Sequence, residues 1–105
     1  MQNNITYDEF IYRMGFFRNK HNLSARDLSL QLGYSESEIN RIERRVVKMK
    51  ITTFIDFLDI INVSPIEFFY PQPSNYAKDM ELLKLIFSLS DDSKDIIISL
   101  AKKLK

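Results

Sequence analysis

Nine lysines and arginines fall between residues 13 and 50, against the four acids Asp27, Glu36, Glu38 and Glu43. That stretch carries +5, while residues 1–12 and 51–105 carry −2 each, in a chain of net charge +1. Positive charge gathered in one segment is the electrostatic footprint of a surface that meets phosphates. Other chemistries have little to work with. The chain has no cysteine, which excludes disulfides, thiolate zinc sites and a cysteine nucleophile. His21 is the one histidine, and it has no companion at ligand spacing. Asp91 and Asp92 are adjacent, but they open a helical pattern, where carboxylates complement the helix dipole. The serines lack a nucleophile-elbow setting, and no glycine-rich phosphate loop exists. The expectation is a binding protein, not an enzyme, with no metal and no cofactor.

Two short helical patterns must position the basic stretch. Ser24 reads as the cap of a helix in which Leu28 and Leu32 share a face. Gly33 supplies the backbone freedom to leave that helix sharply. Ser35 then reads as the cap of a second helix, with Ile39 and Ile42 three apart on its inner side. A pair of helices joined by such a tight turn lets the second project from the surface, where a nucleic-acid groove can accept it.

With 45% hydrophobic and 28% charged residues over 105 positions, the chain has the makeup of one globular domain plus an extension. Few glycines and prolines and no strand-like alternation make the expected fold all-α. A first helix spans about 7–20, with Thr6 as cap and an inward stripe of Phe10, Met14 and Phe17. His21 and Asn22 end it. After a loop at 45–50, a fourth helix spans about 52–61, burying Phe54, Leu58 and Ile61 with Ile55 beside them, and Asn62 ends it. Ser64 and Pro65 start a short fifth helix carrying Ile66, Phe68 and Phe69. The expected organisation is an N-terminal domain over 1–70, a proline-containing linker over 71–75 and a helical extension over 76–105. The extension reads as two helices, about 77–89 and 93–104, the second led by a Ser90 cap.

Residues 10–69 resemble the phage-repressor and Cro type (XRE-type) DNA-binding domain, a five-helix unit. The likeness rests on Arg18, Leu23-Ser24, Gly33-Tyr34-Ser35, Ile39, Arg41-Ile42-Glu43, Ile51-Thr52-Thr53-Phe54, and the closing Asn62-Val63-Ser64-Pro65-Ile66-Glu67-Phe68-Phe69. It implies sequence-specific binding of double-stranded DNA by a bacterial or phage transcription regulator, typically a homodimer on a two-fold operator. The sequence departs from the family pattern at Ala25, where glutamine is usual, and at Arg45, where glycine is frequent. Arg45 must therefore accept a costly backbone geometry or end its helix differently.

The resemblance puts the recognition helix at about 36–44 and places Glu36, Ser37, Asn40 and Arg41 on the face that enters the major groove. Arginine grips guanine bidentately, asparagine grips adenine, and glutamate accepts from a cytosine amino group. Arg26, Arg44, Arg45, Lys48 and Lys50 flank that helix as candidate phosphate contacts, which fix register and dominate salt dependence. Arg18 and Glu43 correspond to an ion pair that joins helix one to the recognition helix, a structural role.

Two apolar features remain. Tyr12 and Phe16 lie off the inward stripe of helix one with Gly15 between them, so the C-terminal helices or a second subunit should cover them. The extension carries Leu82, Leu83, Ile86, Ile96, Ile97 and Leu100, too many large aliphatics for a free helix pair in water. These six must pack on the domain, on each other across a two-fold axis, or both. A competing reading is a protein-interaction module, such as an antitoxin or anti-repressor-like adaptor, with a protein partner on the apolar helices. The apolar runs are far too short for a membrane span, and no signal-peptide layout opens the chain. The expected location is cytoplasmic.

Overall fold

The computed structural model describes residues 5–105, so the first four positions of the expected 1–70 domain lie outside the described residues. The described chain is helical, without a strand, and divides into two compact units, the first ending at Phe69 and the second spanning Tyr70–Lys105.

In the first unit, local signals start and stop each helix. Helix α1 spans Tyr7–Lys20; Thr6 Oγ1 accepts the Glu9 amide, and Asp8 and Glu9 sit in its first turn. Asn22, at φ 55°, takes the left-handed conformation that lets the chain turn away. Helix α2 spans Ala25–Gln31 and is capped by Ser24 Oγ on the Asp27 amide. Gly33, at φ 82°, leads out of it. Helix α3 spans Glu38–Glu43, α4 Ile51–Ile61 and α5 Pro65–Phe68. Asn62 closes α4 at φ 55°, and Ser64 caps α5 with Pro65 at its first position.

The core of this unit gathers Ile11, Met14 and Phe17 from α1, Leu28 from α2, and Ile39 and Ile42 from α3. Phe54, Phe57, Leu58, Ile61, Val63 and Phe68 complete it. Two expected stripes hold except at one position each. In α1 Met14 and Phe17 are buried as expected, but Ile11 takes the third buried place and Phe10 stands at the rim of the core. There its ring meets Phe54 edge-on at 4.9 Å and Phe68 at 5.7 Å between centroids. In α4 Phe57 is buried and Ile55 is exposed. The reason is geometric: Phe54, Phe57, Leu58 and Ile61 form the i, i+3, i+4, i+7 face, and Ile55 lies about a quarter-turn off it.

In the second unit a 3-10 turn, Pro73–Asn75, leads into α6, Tyr76–Phe87, and then α7, Asp91–Lys103. Ser90 Oγ accepts the Ser93 amide, so α7 begins two residues earlier than its apolar pattern implied. The Tyr70 hydroxyl donates to the Asp79 carboxylate, which holds the Tyr70 phenol above its ordinary pKa. No residue of either helix is buried. Leu82, Leu83, Ile96, Ile97 and Leu100 are exposed, and Ile86 is half-buried. Within its own unit, the inward face expected of α7 is thus uncovered.

Candidate nucleic-acid interface

Helix α3 is anchored by its inner side and open on its outer side. Ile39 and Ile42 are buried, whereas Asn40 and Arg41 are exposed. Glu36 and Ser37 are also exposed, but they lie in the turn before α3 and not in the helix expected over 36–44. Ser35 does not cap through its side chain. Its carbonyl accepts the Glu38 amide and closes a tight turn, leaving Ser37 next to the helix without a side-chain cap bond.

The missing cap comes from α2. Ser29 is fully buried; its hydroxyl donates to the Ala25 carbonyl at 2.8 Å and accepts the Ile39 amide at 2.9 Å. One first-turn amide of α3 is thereby satisfied by the preceding helix, which fixes the angle between the two. Ser29 is not among the residues expected at this site, although its spacing carries a signal. Ala25, Leu28, Ser29 and Leu32 form one i, i+3, i+4, i+7 stripe, and a polar residue in a buried stripe needs a partner. On the other side of the turn, the Tyr34 hydroxyl and Thr53 Oγ1 share a hydrogen bond at 2.7 Å. Thr53 is buried, so this bond ties the turn to α4.

Arg18 and Glu43 are brought together in a two-pronged pair. Arg18 Nε donates to Glu43 Oε2 at 2.7 Å and Nη2 to Oε1 at 2.9 Å. Arg18 Nη1 adds a bond to the Leu23 carbonyl at 2.8 Å, and the side chains are only 11% and 21% exposed. One guanidinium therefore joins α1, the entry to α2 and the end of α3. A methyl group on Gly15 would lie in ordinary contact with the Glu43 carboxyl group, so Gly15 borders this pair.

The cations around α3 fall into two groups. Arg26 pairs with Glu36 at 3.1 Å, and Arg41 pairs with Glu38 at 3.5 Å. The Arg26–Glu36 pair is exposed, and in the Arg41–Glu38 pair only Glu38 is half-buried; pairs this open to water contribute about 0–1 kcal/mol. Arg45 is directed at α1: Nε meets Asp8 Oδ1 at 3.0 Å, and the guanidinium also donates to the Asp8 and Glu43 carbonyls. Its backbone is left-handed at φ 64°. Arg44, Lys48 and Lys50 are exposed and make no ion pair among the described residues. On the other face of α1, Tyr12 is 75% exposed and Phe16 is 43% exposed.

Among the described residues, no group of three or more His, Asp or Glu side chains could hold a metal ion. No helix among the described residues is long and apolar enough to cross a membrane. Residues 16–68, half of the chain, match the helix-turn-helix family model HTH_3. Comparison with curated proteins and with solved structures gives no match.

Proposed function

Because the chain belongs to the XRE-type helix-turn-helix family of DNA-binding proteins, we propose that it is a sequence-specific transcriptional regulator with α3 as its reading element. The observation that carries this reading is the two-sided character of α3. Ile39, Ile42 and the Arg18–Glu43 pair fasten one side, and Asn40 and Arg41 are presented on the other. A rigid, outward helix of this kind meets base edges without paying to order itself.

In this reading Asn40 and Arg41 contact bases in the major groove, joined by Glu36 and Ser37 from the turn ahead of the helix. Arg44, Lys48 and Lys50 contact phosphates. Arg26 joins them by exchanging Glu36 for phosphate, a small cost for an exposed pair. Arg45 contributes chiefly by holding the exit of α3 against α1. The carboxylates of Glu36 and Glu38 oppose indiscriminate phosphate binding, which favours discrimination over raw affinity. The protein acts in the cytoplasm as a homodimer through α6 and α7, on an operator with two-fold symmetry. Occupying the operator excludes other proteins from the same groove, so repression is the simplest output.

The test is a fluorescence-anisotropy titration of the full chain with duplex DNA, first by selection from a random pool and then at several salt concentrations. The reading requires enrichment of a two-fold motif and an affinity that falls steeply with salt. Failure to enrich any sequence, with no salt-dependent binding, would favour the protein-interaction alternative.

A further inference from the structure

Helix α7 has a charge pattern that complements itself when turned end for end. Asp92 and Lys103 are eleven positions apart, about three full turns, and so lie on the same edge of the helix. Both are exposed. Beside that edge run Ile96, Leu100 and Leu104, every fourth residue, with Ile97 adjoining, and all four are exposed. Asp95, Ile96, Ser99, Leu100 and Lys103 border a shallow open groove along this side. The second unit by itself leaves this apolar strip in water, and the strip has an acidic group at one end and a basic group at the other.

We propose that α7 packs antiparallel on α7 of a second copy of this chain. The two-fold axis crosses between Ile97 and Ile98, with Asp92 of each copy facing Lys103 of the other. The proposal rests on the homodimer reading above and gives it a geometry. In an antiparallel helix pair, like edges face each other, so the register that matches Asp92 with Lys103 is fixed by the midpoint between them. On the opposite edge the same register sets Lys94 against Ala101, whose small side chain leaves room for the lysine stem. Ile97 then meets Ile97 of the other copy beside the axis, Ile96 of each copy meets Leu100 of the other, and all three are withdrawn from water. The helix dipoles also oppose each other in this arrangement. A parallel pair would instead bring the acidic ends level with each other and the lysine ends level with each other.

The experiment uses the full chain and sedimentation equilibrium, with Asp92→Lys and Lys103→Asp made separately. Both positions are exposed, and far-UV circular dichroism verifies that the helices persist. Each reversal should weaken self-association by about tenfold, since it replaces two attractions with two repulsions. An equimolar mixture of the two variants should associate as tightly as the unaltered chain, because opposite charges face each other again at both contacts. Variants that dimerise as well as the unaltered chain, or a mixture that is not rescued, would overturn this geometry while leaving a dimer in place. An unaltered chain that stays monomeric would overturn the dimer reading itself.

Discussion

The buried hydroxyl of Ser29 accepts the backbone amide of Ile39 at 2.9 Å, so α2 caps the helix that follows it. Replacing Ser29 with alanine removes the acceptor and strands a buried N–H. The expected cost is about 1–3 kcal/mol in urea unfolding, seen as a lower midpoint at an unchanged slope. DNA affinity should fall as well, because the angle of α3 loses its constraint. A variant as stable as the unaltered chain would show that another group satisfies Ile39.

Arg18 and Glu43 are held in a partly buried, two-pronged pair. Removing one partner leaves the other desolvated and unmatched, so Arg18→Met and Glu43→Gln should each cost about 2 kcal/mol. The double variant should cost clearly less than the two losses added together. Strict additivity in a double-mutant cycle would mean that the pair does not couple.

Arg45 occupies a left-handed backbone at φ 64°. Glycine adopts that conformation without strain, whereas a β-branched residue does not. Arg45→Val should therefore be less stable than Arg45→Gly by roughly 1–2 kcal/mol. The exposed contact to Asp8 is lost in both, so it cancels from the comparison. Equal melting temperatures would show that the loop after α3 relaxes to another conformation.

Lys48 is exposed and makes no ion pair among the described residues, which suits a phosphate contact. Lys48→Ala should weaken binding to selected and random duplexes by the same factor, and lower the steepness of the salt dependence by about one unit. A loss confined to the selected sequence would reassign Lys48 to base readout.

Much of the fold was legible because its signals are local. Thr6, Ser24, Ser64 and Ser90 each cap the helix that their position announced. Asn22 and Asn62 take the left-handed conformation that ends a helix. What escaped notice depends on how elements pack against one another. Ser35 has the residue type of a cap, yet the tight turn uses its carbonyl and moves the start of α3 to Glu38. Ile55 and Phe57 are both apolar, and only the direction of the core chooses between them. At the candidate interface, the Arg26–Glu36 pair spans ten positions and two elements, so no helical spacing reveals it. The Tyr34–Thr53 bond joins residues nineteen apart and is equally silent in sequence.

If the outer side of α3 reads bases, Arg41 is the side chain that shows it. The measurement is the ratio of affinities for the selected operator and a random duplex, before and after Arg41→Ala, at fixed salt. The substitution should cost about 1–3 kcal/mol on the operator and little on random DNA, so that the ratio collapses. An equal loss on both duplexes, with the ratio intact, would contradict it.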